Sequence, residues 1–116
     1  MIGREAQRAC LGFWSVDLAN GMATLCREAA AMLGLPAAGQ LELALVFARI
    51  RREHRHRLLR AALRSIRSGD LFDVVVRTAS TPAAPGLRIL GGRGYHVSHH
   101  CEIHGILERV AAVSGP

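Results

Sequence analysis

Lysine is absent from this chain: every one of its 15 basic residues is arginine, set against 9 acidic residues for a formal net charge of +6. A basic balance brings polyanions into view as partners. Arginine at the complete expense of lysine, beside abundant alanine and glycine, reads instead as the drift of a GC-rich genome, so the charge is discounted as a sign of phosphate binding. No apolar run approaches the roughly 20 residues that cross a bilayer, so no membrane insertion is expected. The opening Met1-Ile2-Gly3-Arg4-Glu5 has neither the basic start nor the apolar core of a secretory signal, and a cytoplasmic domain is expected. Cys10, Cys26 and Cys101 are odd in number, widely spaced and without a CxxC pair. That excludes a disulfide framework or zinc ribbon and leaves reduced thiols.

The common signatures of catalysis are missing too. There is no Gly-x-Ser-x-Gly, no phosphate loop and no Gly-x-Gly-x-x-Gly, and Asp17 and Glu28 are separated by a turn and a helix rather than paired. The glycines of Gly91-Gly92-Arg93-Gly94 lie within a strand hairpin, where glycine serves bulges and close backbone approach. An enzyme is not expected, and no internal repeat is present.

What the chain does contain is enough for one domain: 116 residues, half of them hydrophobic. Residues 4–11 suggest one or two helical turns leading in. Over residues 12–18, Trp14, Val16 and Leu18 alternate with Ser15 and Asp17, the period of a half-buried strand. Asn20-Gly21 then marks a hairpin, with a short strand expected over 22–25. Residues 27–33 carry helix formers and stop at Gly34, with Pro36 beyond. Residues 40–50 are apolar at nearly every position, which composition assigns to a buried helical stretch.

The clearest pattern is residues 52–68. Leu58, Leu59, Ala62, Leu63 and Ile66 share one face, opposite Arg57, Arg60, Arg64 and Arg67, which predicts an amphipathic helix ended by Gly69-Asp70. Phe72, Val74, Val76 and Thr78 alternate with Asp73, Val75 and Arg77 as a third strand. Two further strands are expected over 87–98 and 103–113, around a polar turn at His99, His100 and Cys101. Strands joined by short connections run antiparallel, so the class is α+β, with helices on one sheet face and the other left to solvent or a partner.

That order, and several residues in it, resemble a PAS domain. Gly12-Phe13-Trp14-Ser15-Val16-Asp17 with the later Gly21 is similar to the Gly-x-Trp-x-x-Asp first strand and turn of the subfamily common in bacterial sensors. Leu33-Gly34 is similar to its Leu-Gly helix end, and Ile50, Glu53 and Arg55 to part of its Ile-His-Pro-Glu-Asp-Arg stretch. Gly69, Arg77 and Gly94 also fall in the family's places, with Ile89 standing where it has tryptophan. The resemblance implies a PAS-like five-stranded antiparallel sheet with helices packed on one face, a short N-terminal helix over 1–11 and a single domain over 12–114. It further implies a sensory and dimerisation module of a bacterial signal-transduction protein, of histidine kinase (two-component) or cyclic-dinucleotide regulator type. Such a module binds a small ligand or partner and relays a signal to a neighbouring output domain of the same protein.

A ligand pocket in this architecture, the alternative to a fully collapsed core, lies between the inner sheet face and the helices, with Trp14, Val16, Met32, Leu45, Leu59, Val74, Val76 and Ile89 as candidate lining. His96, His99, His100 and His104 cluster with Cys101. If 99–101 form a three-residue turn, His96 faces His104 across the hairpin and the two imidazoles offer a zinc or nickel ion a pair of ligands; the bland alternative is a turn decorated with polar side chains. Some PAS domains hold haem through a histidine of the long helix, but His54 and His56 stand in its first turn among arginines, which reads as an exposed helix entrance. The flavin photochemistry of the light-sensing subfamily needs Asn-Cys-Arg-Phe, and Cys26-Arg27 lacks both flanks. The ligand is therefore unknown.

The arginines between Arg49 and Arg67 support an alternative, a basic regulator binding nucleic acid by counterion release. Glu53 among them and the lack of interleaved aromatics argue against it. A homodimer is the expected assembly. Phe13 and Val75 have the parity of the outer sheet face, and Ala6, Ala9 and Cys10 of the lead-in are candidates to pack there.

Overall fold

The computed structural model describes residues 11–79, 86–93 and 102–110. In chain order these form β1 (Leu11–Asp17), β2 (Met22–Leu25), α1 (Arg27–Met32), β3 (Gly39–Glu42), α2 (Leu43–Phe47), α3 (Arg52–Ser68), β4 (Phe72–Arg77), β5 (Gly86–Arg93) and β6 (Glu102–Arg109). One sheet of order β3-β2-β1-β6-β5-β4 contains all six strands, with every neighbouring pair antiparallel. The hairpin nearest the chain start, β1–β2, therefore sits in the sheet beside β6. The α+β class and the antiparallel sheet agree with the expectation; the strand count is six rather than five.

The additional strand comes from residues 40–50. Their apolar residues have no period to separate strand from helix, and the chain divides them: β3 pairs with β2, and the Leu43 N–H on the Gly21 carbonyl at 2.8 Å starts the one-turn helix α2. The stretch is not a buried helix, since α2 buries none of its five residues fully and Leu45 is 54% exposed. β1 likewise begins one residue early, so Leu11 is strand rather than lead-in. The lead-in over 1–10, with Ala6, Ala9 and Cys10, and the turn at 99–101 lie outside the described residues.

Local chemistry accounts for the β1–β2 turn. The Asp17 carbonyl accepts the Gly21 N–H at 2.9 Å, the Asp17 Oδ1 accepts the Ala19 N–H at 2.9 Å, and the Asn20 Oδ1 accepts the Met22 N–H at 3.0 Å. α3 spans the predicted range, and Gly69 at φ 81° caps it by donating its N–H to the Ser65 carbonyl. Its buried face is rotated from the expected one. Leu58 and Ser65 are buried with Ala61, Ala62 and Ile66 half-buried, while Leu59 and Leu63 are 44% exposed. Ser65 can face inward because its hydroxyl donates to the Asp70 carbonyl just past the helix end.

The segment before α3 is stitched to the β4 edge of the sheet. The Arg51 N–H donates to the Arg77 carbonyl and the Ala79 N–H to the Arg49 carbonyl, both at 2.8 Å, around an Ile50–Thr78 bridge. This places Ile50, 1% exposed, at the bottom of the core with Leu87 and Val76. The core fills one side of the sheet, facing the helices.

Candidate functional site

An apolar cavity of about 90 Å³ lies between the inner sheet face and α2 and α3. The sheet contributes Trp14, Val16, Ala23, Leu25, Phe72, Ile89, Ile103 and Leu107 to it, because strand side chains alternate and these positions share the inward parity. Helix α2 contributes Leu43, Val46 and Phe47, and α3 contributes Leu58, Leu59 and Ala62, spaced three and four apart as one helical face requires. Leu59, 44% exposed, belongs both to this wall and to the surface. Among the described residues no charged side chain is part of the lining.

Trp14 dominates the wall. Its ring meets Phe72 with centroids 6.2 Å apart and planes at 47°. The benzo edge lies against Gly91 of β5 and Gly105 of β6, which face each other across the strand pair. A Cβ at either glycine would stand 2.6 Å from Trp14 Cζ2, so two glycines in neighbouring strands make the depression that seats the indole. One consequence is chemical. The indole Nε1 is sealed from solvent and has no hydrogen-bond partner among the described residues.

Of the eight sequence-predicted lining residues, Trp14, Val16, Leu59 and Ile89 line the cavity. Met32, Val74 and Val76 are buried in the core away from it, and Leu45 points to solvent on the far side of α2. The sequence reading missed Leu43, Val46 and Phe47. Their i, i+3, i+4 spacing was a usable signal once a helix is known to begin at Leu43.

The other candidates lie elsewhere. His54 accepts the Arg77 N–H on Nδ1 at 3.0 Å, tying α3 to the end of β4. Desolvation by burial, with the Arg57, Arg51 and Arg77 charges also disfavouring the cation, holds its pKa below the usual 6.5 despite Glu53 nearby. His56 is exposed. Neither reaches the cavity, so these histidines do not fit the axial ligand of a haem there. Cys26 is the N-cap of α1, and its Sγ accepts the Phe13 N–H at 3.1 Å. It too is outside the lining, which does not fit a photoreactive thiol over a flavin in this cavity.

The β5–β6 register sets His104 opposite Gly92, and His96 lies outside the described residues. With Gly92 as its register partner, His104 does not face His96 across the strand pair, which corrects the expected pairing. His104 approaches Glu102 at 4.0 Å, and the described residues hold no group of three metal-ligating side chains.

The arginine-rich segment divides by role. Arg49 Nε donates to the Leu33 carbonyl and Arg55 Nε to the Ile50 carbonyl, each at 2.9 Å, so both fasten the core's flank. Arg52, Arg57, Arg60, Arg64 and Arg67 are exposed along α3.

No helix among the described residues covers the opposite sheet face. Phe13 is 63% exposed, Leu71 81%, Val75 45% and Leu11 43%. The register places Phe13 in a row with Ile106, Leu90 and Asp73, and Leu11 in the next row with Glu108, Arg88 and Val75, so Phe13 and Val75 share this face as expected. Arg88 bridges the rows. It donates to Asp73 through Nε at 2.9 Å and Nη2 at 2.5 Å, and its Nη1 lies 3.6 Å from Glu108 Oε1. The pairing holds the Asp73 carboxyl below its ordinary pKa.

No protein-family model matches the chain, and no curated protein matches it. Solved structures do. A sensory box histidine kinase/response regulator from Burkholderia thailandensis E264 is similar with a TM-score of 0.70 at 16% identity, over 94% of this chain and 83% of that one. An RNA-binding light-oxygen-voltage receptor is similar with a TM-score of 0.69 at 15% identity, over 86% of this chain but only 28% of the receptor. A cell-cycle regulator subject to adaptor-dependent degradation is similar with a TM-score of 0.66 at 12% identity, over 96% and 93%. The fold is therefore PAS-like, as the motifs suggested. Among the described residues no helix is long and apolar enough to cross a membrane.

Proposed function

We propose that the domain is a sensory and dimerisation module of a cytoplasmic bacterial signalling protein, of histidine kinase or cyclic-dinucleotide regulator type, acting by binding rather than catalysis. It takes a small molecule into the cavity between sheet and helices and passes the change to a neighbouring output domain. The observation that carries this reading is the placement of two apolar surfaces on the same strands. Trp14 faces the cavity while Phe13, the adjacent residue of β1, stands 63% exposed on the opposite face.

Exposed apolar clusters on an otherwise polar surface are what interfaces use. A two-fold homodimer is the simplest way to cover this one. The Asp73–Arg88–Glu108 chain beside it supplies both signs of charge, so two copies related by a two-fold axis can meet without like charges being forced together. The lead-in residues Ala6, Ala9 and Cys10 are proposed to take part in the same interface.

Light scattering of the chain at tens of micromolar is the test. Twice the monomer mass is expected, falling to the monomer mass in Phe13→Asp and reduced when residues 1–10 are deleted. A parent protein that runs as a monomer removes the dimer from the proposal.

A further inference from the structure

Resting on the reading of the cavity as a ligand site, we infer that its ligand is a small uncharged molecule of hydrocarbon character, with no hydrogen-bonding group. Among the described residues the wall presents only carbon to the space. Trp14 is part of that wall, but its Nε1 is sealed within the packing and offers the space no donor. The backbone beneath is equally closed to a ligand: β1 is hydrogen-bonded to β2 and β6, and β5 to β4 and β6, so their N–H and C=O groups are engaged in the plane of the sheet.

A charged group entering such a space loses its hydration with nothing to replace it, which excludes carboxylates, phosphates and protonated amines. A carbonyl or hydroxyl meets the same difficulty on a smaller scale, giving up water partners that no wall atom replaces. Water itself fails too. It needs about two to four polar partners to stay in a cavity, and this wall supplies none, so the space is dry although it has room for water. A dry apolar void is a standing cost to the fold, which a hydrocarbon relieves by restoring contacts to the atoms around it.

Size narrows the class further. The cavity of about 90 Å³ compares with ~150 Å³ for an apolar cavity that stays dry and binds benzene, so in proportion roughly four non-hydrogen atoms fit. So few atoms limit the affinity: at the ceiling reached by the smallest ligands, the dissociation constant is no lower than roughly tens of micromolar.

Isobutene, acetone and acetate test the class directly, because they share one Y-shaped skeleton of non-hydrogen atoms and differ in polarity alone. Each is titrated into the full chain, with the methyl resonances of Val16, Ile89, Ile103 and Leu107 as the readout. Isobutene should move them toward saturation. Acetone should need a free concentration about tenfold to hundredfold higher, the cost of burying a carbonyl without a partner, and acetate should leave them unmoved. Ala62→Leu extends a longer side chain from α3 into the same space and should abolish the response to isobutene, while the native-chain titrations need no variant. If acetone or acetate binds as tightly as isobutene, the ligand class is overturned while the cavity stands as a ligand site. If none of the three moves a lining methyl, the cavity reading falls with it, and an undiminished response in folded Ala62→Leu places isobutene elsewhere and overturns both.

Discussion

Replacing Trp14 by alanine and by phenylalanine separates two things the indole does, because their effects on stability differ in sign. A tryptophan buries about 150–250 Å² when enclosed. With Trp14 only half-buried, about 100–150 Å² is the relevant area, or about 3 kcal/mol at ~25 cal/mol/Å². Alanine loses that contribution, and the void merges with the existing cavity over Gly91 and Gly105, which have no side chains to collapse into it, adding about 1–2 kcal/mol. Against this, either variant removes the orphaned Nε1 donor, whose unmet desolvation costs about 1–3 kcal/mol. Trp14→Ala should therefore be about 3 kcal/mol less stable. Trp14→Phe keeps a ring on the two glycines, gives up only about 1 kcal/mol of area and sheds the orphan, so it should lie within about 1 kcal/mol of the parent. Urea unfolding followed by far-ultraviolet circular dichroism measures both without relying on tryptophan emission. A phenylalanine variant as unstable as the alanine one would show that Nε1 is satisfied in solution, and an alanine variant as stable as the parent would remove Trp14 from the core.

Gly105→Ala should cost about 2–3 kcal/mol, since the new Cβ would stand 2.6 Å from Trp14 Cζ2, 2.8 Å from the Gly91 Cα and against the Leu90 carbonyl, none of which is a flexible chain end; a melting temperature unchanged by this substitution would refute the seating of the indole. His54, whose pKa in the folded protein is depressed, binds fewer protons than its unfolded form just below pH 6.5, so stability is complete above that pH and falls as pH drops through it toward the folded pKa. His54→Asn keeps an acceptor for the Arg77 N–H without titrating, and should flatten the melting temperature between pH 7.5 and 5.5 relative to the parent; identical slopes would remove His54 as the cause. Nonspecific duplex DNA should bind the domain weakly and with little salt dependence, whereas a steep loss between low and physiological salt that disappears in the Arg57→Gln, Arg60→Gln, Arg64→Gln triple variant would favour the nucleic-acid alternative.

Elements with a strong period were legible in the sequence. β1 and β4 alternate cleanly and α3 has both an apolar stripe and a glycine stop, so their types and the bounds of α3 follow from local chemistry, whereas packing turns the inward face of α3 to bury Leu58 and Ser65. β3 and α2 were not, because apolar residues at nearly every position of 40–50 erase the period, and only pairing with β2 assigns Gln40 and Glu42 outward and Leu41 inward. The β5–β6 register failed for a related reason: glycines at 91, 92 and 105 carry no facial preference, so the pairing of His104 with Gly92 is set by the strands around them. Inward parity identified Trp14, Val16 and Ile89 as cavity wall but could not distinguish wall from packed core, which is why Val74 and Val76 were included. That distinction depends on where α2 and α3 stand off the sheet, a tertiary property with no local signature.

The pleat of β1 connects the two faces by geometry alone. Trp14 and Phe13 are consecutive, so a displacement of the backbone at one is shared by the other, and the covering of one face is felt on the opposite one. β1 is central, hydrogen-bonded to β2 on one side and β6 on the other, which suppresses independent motion of single residues in favour of a shift of the strand as a unit. Phe13 is also held by Cys26 twice: its N–H donates to Sγ, and its carbonyl accepts the Cys26 N–H, both at 3.1 Å. Cys26 begins α1, whose Ala29 lies so close to Gly12 that a Cβ there would stand 2.6 Å from its backbone. Helix, strand and outer aromatic are thus joined by direct contacts. A ligand that changed how the indole sits over Gly91 and Gly105 would act on the outer face by this short path, from Trp14 to the adjacent Phe13 rather than along a long relay, with an effect limited by the ligand's difference in affinity between the two positions of the strand.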